Sequence, residues 1–286
     1  MARRSHCPVA LPPILGYQWL QITDSPSHEE NPAVGDSVCI EAPQSEARFV
    51  LLCEHACSHL PEGLSTLGME PHVGSTHVAW DIEALTITRR LAVILGAPLI
   101  YPTVSRLVID CNRALDHPGL IIGETEFGAV PGNLNLAPGE RERRIAEIHR
   151  PFHRAVDDIL AKRRARNLPS WLISIHSFTP IFRDRARPWH FGLIYDRDSR
   201  LALQLHRALI AAGENQVALN QPYSPSDGVY YSLARHGEAN GLPCVMIEIR
   251  DDLIRTSADR ERIARLLADA LASVELPTNN TRETVQ

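Results

Sequence analysis

Two histidines and a glutamate stand where short apolar runs end, and residues of these types suit metal-assisted hydrolysis. Phe49-Val50-Leu51-Leu52-Cys53 leads into Glu54-His55, Trp171-Leu172-Ile173-Ser174-Ile175 into His176-Ser177, and Pro243-Cys244-Val245-Met246-Ile247 into Glu248-Ile249-Arg250. Each run is too short for an isolated helix and apolar enough for a strand buried on both faces. In open α/β sheets ligands bind at the C-terminal ends of the strands, so the pattern predicts His, His and Glu on one rim. Zinc hydrolases hold the metal with three N or O ligands, leave one position for water and place a carboxylate nearby as base. His55 and His176 are the natural imidazole ligands. Glu248, between Ile247 and Ile249, needs a partner if it is buried. That partner is either Arg250, in a structural ion pair, or a metal-bound water whose proton Glu248 would collect and pass to a departing amine.

The third ligand is open between three residues. Asp81, closing His77-Val78-Ala79-Trp80-Asp81, stands at the start of a helix, where its ordinary alternative is an N-cap. Glu54 is the rival, but neighbouring strand residues point to opposite faces, so Glu54 and His55 do not easily share one ion. His59 could follow His55 on a helical turn, which Pro61 would cut short.

A second dense patch is Ser105-Arg106-Leu107-Val108-Ile109-Asp110-Cys111-Asn112-Arg113. A strand over Arg106 to Ile109 would put Arg106, Val108 and Asp110 on one side, with Asn112 and Arg113 just beyond it. The guanidinium fork matches carboxylate oxygens and Asn can donate to an oxygen, so Arg106, Asn112, Arg113 and Arg250 are substrate-binding candidates. The alternative for Arg113 is a scaffold pair with Asp110 or Asp116. Arg183, Arg185 and Arg187 fall in an irregular segment that reads as a solvated loop or a mobile cationic rim. Cys53 and Cys57 flank His55, but neither occupies a nucleophile turn and no G-x-S-x-G is present.

The elements that must position these groups alternate between strand and helix. A helix is expected from Asp81 to Leu95, with Ala84, Ile87, Leu91, Ile94 and Leu95 on one face and Gly96 as its stop. Strands are expected at Pro98 to Tyr101 and Trp189 to Tyr195. Helices are expected from about Pro138 through Ile159, from Arg200 to Ala212, and around Ile263, Leu266, Leu267 and Ala270. Phe127 to Ala137 and Asn220 to Gly228 read as long loops, which raises the question of whether 128–135 and 222–228 close over a ligand.

With 286 residues, 44% hydrophobic and 22% charged, the chain can bury one sizeable α/β core. A formal charge of −5 gives no footprint for nucleic acid, and the Lys162 to Arg166 cluster reads as a solvated helix end. The six cysteines contain no C-x-x-C pair and several lie in apolar runs, which suits reduced thiols in the cytoplasm. No apolar run reaches the roughly 20 residues of a membrane span, and prolines interrupt the region where an export signal would lie. Residues 1–44 are expected to form an irregular lead-in, 45–275 a single catalytic domain, and 276–286 a disordered tail.

Taken in order, Cys53-Glu54-His55-Ala56, His77 to Asp81, Ser105 to Arg113, His176-Ser177-Phe178-Thr179-Pro180 and Glu248-Ile249-Arg250-Asp251-Asp252-Leu253-Ile254 resemble the N-formylglutamate amidohydrolase family. The resemblance covers about residues 45 to 273. It implies a three-layer α/β sandwich with a mostly parallel central sheet, similar to zinc carboxypeptidases and aspartoacylases. It also implies cleavage of N-formyl-L-glutamate to formate and L-glutamate in histidine degradation, with Zn2+ or another divalent metal as cofactor and a small N-acyl amino acid as the partner. Asn112-Arg113 resembles the substrate-binding Asn-Arg pair of those relatives. The ligand order of similar peptidoglycan amidases, His, acid, His and a late Glu, resembles His55, Asp81, His176 and Glu248, which favours Asp81 by analogy. The chain departs from the family at His59, where Asn or Arg is expected, at Glu83, where Gly is usual, and at Asp251, where Asn is commoner. Two rival functions stand beside this one: an amidase for another N-acyl compound, and a binding member without catalysis.

Overall fold

A computed structural model describes residues 37–276; residues 1–36 and 277–286, with most of the expected lead-in and tail, lie outside the described residues. Seven strands make the central sheet: β1 Val38–Glu41, β2 Phe49–Leu52, β3 Leu99–Pro102, β4 Trp171–Phe178, β5 Phe191–Ile194, β6 Val217–Leu219 and β7 Cys244–Arg250. Their order is β1-β3-β2-β4-β7-β5-β6. The β1/β3 and β7/β5 pairs are antiparallel and the remaining pairs parallel. Val38–Glu41, placed by the sequence analysis in the irregular lead-in, is therefore an edge strand of the sheet.

The central strands read as unbroken apolar runs because both their faces are covered. Phe49, Leu51, Ile173, Ile175, Val245, Ile247 and Ile249 pack on one side with helices α1 (Ala84–Leu95), α4 (Arg200–Ala211) and α6 (Ser257–Ser273). Val50, Leu52, Leu172, Cys244 and Met246 pack on the other, with α3 (Arg150–Ala165) and Leu233 of α5 (Tyr231–His236). The result is a three-layer sandwich, as the resemblance implies. Side chains alternate along a strand. The even-numbered residues Glu54, Ser174, His176 and Glu248 thus continue the second face beyond its apolar part.

The long helix expected from about Pro138 is built from α2 (Glu140–Arg144), a π turn at Ile145–His149, and α3. Pro151 has no N–H to give the carbonyl of Glu147. Ser37 donates to that carbonyl instead, at 2.5 Å, which ties β1 to the helix. Helix α1 starts later than expected. Its N-cap is Glu83, whose φ of 60° lies in the left-handed region. A glycine accepts that conformation without the steric cost of about 1 kcal/mol or more carried by other residues, which explains why glycine is usual at this place.

Arg106 to Ile109 does not form the expected strand. Ser105 donates to the carbonyl of Ala79 at 2.7 Å and accepts from the Leu107 amide, while the Val108 amide bonds the Ser105 carbonyl. A turn satisfies these groups locally, so alternation does not apply. The turn still brings Arg106 and Asp110 together, as neighbours four residues apart at 2.9 Å.

Candidate active site

Strands β4 and β7 lie side by side in parallel register, which pairs His176 with Glu248. His55 follows the end of β2 by three residues, and Asp81 precedes α1. The Asp81 amide bonds the His55 carbonyl at 3.0 Å, so the two segments are tied at their backbones. Their side chains converge with that of His176. His176 Nδ1 lies 2.7 Å from Asp81 Oδ2 and 3.2 Å from His55 Nδ1, and His55 Nδ1 lies 3.3 Å from the same Asp81 oxygen. Asp81 makes no side-chain bond to the start of α1, so it is not an N-cap. Among the described residues this is the group of His, Cys, Asp and Glu side chains whose geometry could hold a metal ion.

The other ring nitrogen of each histidine faces a buried carboxylate. His55 Nε2 donates to Asp110 Oδ1 at 2.8 Å. His176 Nε2 lies 2.8 Å from Ser174 Oγ and 3.2 Å from Glu54 Oε2, while Ser174 Oγ donates to that Glu54 oxygen at 2.6 Å. A proton on each Nε2 leaves both Nδ1 lone pairs directed at the point shared with Asp81. Glu54, the rival third ligand, thus stands behind His176, on the side of the ring away from Nδ1. His59 is exposed and gives the region its carbonyl, which accepts from the Ser105 amide at 2.7 Å.

Three electron-rich atoms within 3.3 Å of one another, in a buried place, call for a cation between them. A tetrahedral zinc site with bonds of about 2.0–2.1 Å has ligand edges of about 3.3 Å. Two of the three edges have that length. The donor set therefore fits a divalent metal ion of the Zn2+ kind. Without a metal the charge falls to protons. Burial pulls the His176 imidazole down, but its bonds to Asp81 and Glu54 outweigh burial and hold it well above the usual range. Asp81 and Asp110 run the other way: burial raises both, and the neighbouring charges, His55 first, keep them well below the ordinary carboxylate range.

Glu248 is only 4% exposed and its Oε2 has no hydrogen-bond partner. Burial pushes its carboxyl up to about 7 against the pull of His176. It makes no pair with Arg250. That guanidinium binds Asp252 at 2.7 Å and the carbonyls of Arg187, Pro188 and Trp189, outside the cluster. Arg106 joins the cluster by pairing with Asp110 and, at 3.4 Å, with Asp81. Arg113 lies 3.7 Å from Asp110 and donates to the Asp227 carbonyl at 2.5 Å. Asn112 is buried with both ends of its amide on backbone, donating to Val229 and accepting from Ser232. The thiols beside the site are pushed up by burial, so Cys53 and Cys57 are held as neutral side chains.

A family model of N-formylglutamate amidohydrolase matches residues 47–255. The chain belongs to the N-formylglutamate amidohydrolase family. It is thus a hydrolase of an amide bond. A crystal structure of a gene product from Agrobacterium tumefaciens is similar at a TM-score of 0.80 and 38% identity, over 84% of this chain and 96% of that one. The crystal structure of N-formylglutamate amidohydrolase from Ralstonia eutropha JMP134 shares the fold, with a TM-score of 0.61 and 23% identity over 82% and 94% of the two chains. No match was found among curated proteins.

Several parts of this amidohydrolase site carry little signal in the sequence. Glu54 and Asp110 stand out as charged residues in dense motifs, but their place behind the histidines depends on the fold. Tyr223 lies in a loop expected from its prolines, with nothing to mark it as a neighbour of Glu248. Gly192 is needed because the loop crosses β5 there: a Cβ on Gly192 would stand 1.8 Å from the Gln221 carbonyl oxygen and 3.3 Å from Glu248 Cβ.

Proposed function

We propose that this chain hydrolyses N-formyl-L-glutamate to formate and L-glutamate, with Zn2+ held by His55, Asp81 and His176. The observation that carries the reading is the convergence of three lone-pair atoms, two of them on imidazoles backed by buried carboxylates, beside a carboxylate with an unpartnered oxygen. A bound zinc ion lowers the pKa of a water and polarises a carbonyl oxygen. The chain's own residues supply the rest. Asp110 and Glu54 fix the tautomers and orient the rings. Glu248, whose Oε2 has no partner, accepts a proton and gives it to the departing amine. Arg106 faces the same cluster with its charge shared between Asp81 and Asp110, and donates toward the scissile carbonyl. Arg113, at the edge of the site, receives a substrate carboxylate. Asn112 holds the Arg113 segment to the Val229 to Ser232 backbone. A formyl carbon carries only hydrogen, so the acyl side of the pocket can be small. The reaction belongs in the cytoplasm, at the end of a histidine-degradation route.

The test is zinc content by elemental analysis together with formate release, for wild type and His176→Ala. About one zinc per chain and formate release by wild type only are expected. Zinc without formate release would move the search to other N-acyl amino acids. No zinc and no turnover after reconstitution would end the metal-hydrolase reading.

A further inference from the structure

Among the described residues three arginines are buried, and they differ in how their charge is met. Arg144 is bonded by Glu140, the Val108 carbonyl and Asn133 at 2.7–2.9 Å. Arg163 is bonded by Ser170 and by the carbonyls of Ser45, Ala47 and Pro169. Both are saturated scaffold residues. Arg187 is 9% exposed, yet its guanidinium pairs with no described carboxylate, and its bond to the Thr179 carbonyl is long, at 3.5 Å. Around it are ring faces: Phe182 at 4.6 Å, Tyr223 at 5.0 Å and Phe178 at 5.8 Å. Rings attract a guanidinium without using its N–H donors. The rings and the Tyr223 hydroxyl hold the fork in place, and no described carboxylate meets its charge.

Its position follows from the strand register. Phe178 pairs with Arg250 as His176 pairs with Glu248, two residues further along the same two strands and on the same face. That step is about 7 Å. On the other side, the loop carrying Tyr223 rests on Gly192 beside Glu248. Burial first, and then the charge of Glu248, raise the Tyr223 phenol, while Arg187 acts against them. Arg250 holds the strip from below, binding the carbonyls of Arg187, Pro188 and Trp189 while Asp252 meets its charge. The segment read from sequence as a solvated rim is a small hairpin, Ile181–Phe182 with Arg185–Ala186, closed by the Arg187 amide on the Pro180 carbonyl.

We infer that Arg187, seated among Phe178, Phe182 and Tyr223, is an anion-binding arm of the site that receives a carboxylate of the N-acyl amino acid substrate, with Arg250 positioning it. A buried guanidinium whose charge no carboxylate meets gains most from a bidentate carboxylate. The inference rests on the hydrolase reading above.

The test uses the zinc-loaded full chain, Arg187→Met and Arg187→Lys. With N-formyl-L-glutamate, Arg187→Met is expected to raise KM about tenfold or more, consistent with loss of a charged hydrogen-bond pair, while kcat and zinc content stay close to wild type. Arg187→Lys, which keeps the charge without the fork, is expected to recover part of the loss. An unchanged KM, or a loss confined to kcat, in a folded zinc-loaded variant overturns the assignment. Should Arg187→Met not fold, Arg187→Lys decides by the same two quantities, because a raised KM at constant kcat is expected there too. A zinc-loaded wild type that releases no formate would defeat the N-formyl-L-glutamate reading by itself. Calorimetric titration with glutarate then decides the arm: binding by wild type about tenfold or more tighter than by the variant supports it, and equal binding or none overturns it.

Discussion

Among the described residues histidines are buried in two places, and they are arranged in opposite ways. At the strand ends, His55 and His176 point one nitrogen each at a spot shared with Asp81 and rest the other on a carboxylate side. Between α3 and α5 the histidines form a line. His153 Nε2 meets the Cys111 carbonyl at 2.9 Å, its Nδ1 meets His236 Nε2 at 2.8 Å, and His236 Nδ1 meets Asp157 at 2.9 Å. His149 beside them binds the Arg113 carbonyl at 2.9 Å. Burial dominates in the line, pushing His153 down to about 2 and His236 to about 4. At the strand ends the carboxylates win and His176 rises. The i, i+4 spacing of His149 and His153 would by itself suit a metal, yet every nitrogen bonded in the line is spent on a separate partner. Convergence of lone pairs marks a metal site; density of histidine does not.

The contrast breaks most severely at Glu248. Glu248→Gln keeps the shape of the side chain and all three ligands, so zinc content is expected to stay near wild type while kcat falls by about 10²–10⁴-fold. Steady-state formate release with elemental analysis checks this, and a variant that loses zinc would place Glu248 among the ligands. Next come the carboxylates behind the rings. Asp110→Asn and Glu54→Gln each are expected to weaken zinc about 10–100-fold, measured by competition with a chelator. Equal affinity in both variants would mean that the carboxylates do not orient the ligands.

Protons sharpen the same comparison. In the metal-free chain the folded Glu248 carboxyl titrates near 7, above its unfolded value of about 4.5. The folded state then holds a proton that the unfolded state has released, so this group's contribution to stability is fully present below about 4.5 and is lost as pH rises through about 7. Urea unfolding of metal-free wild type and Glu248→Gln is expected to show that slope in wild type and its absence in the variant; parallel curves would show that Glu248 is not raised. The smallest effect on chemistry is expected in the line. His153→Phe leaves the Cys111 carbonyl and His236 Nε2 without a partner, costing about 1–3 kcal/mol of stability in a denaturant melt, with zinc content unchanged. Zinc loss in His153→Phe would join the two regions and undo the contrast.

Much of this was legible in the sequence where the motif and the element coincide. His176 and Glu248 stand out because buried apolar runs carry them, but their place side by side comes from the parallel register of β4 and β7. Asp81 reads as a cap or a ligand from its place before a helix, and only the side-chain partners separate the two. Where a turn replaces a strand, as at Ser105 to Val108, local hydroxyl and backbone bonds defeat the alternation argument while leaving Arg106 beside Asp110. Arg187 and Arg250 show the deeper limit. Both are arginines after functional strands, and sequence favours the one in the motif. Arg250 meets Asp252 and three carbonyls, whereas Arg187 meets three aromatic rings and no described carboxylate. Those partners meet only in the folded chain.

The measurement that bears most directly on the central claim is anomalous diffraction at the zinc edge from crystals of the zinc-reconstituted chain. One strong peak is expected, bonded to His55 Nδ1, His176 Nδ1 and an Asp81 oxygen, with Glu248 close by and not a ligand. A peak on the His149 to His236 line, or no peak between the three residues at full reconstitution, would contradict it.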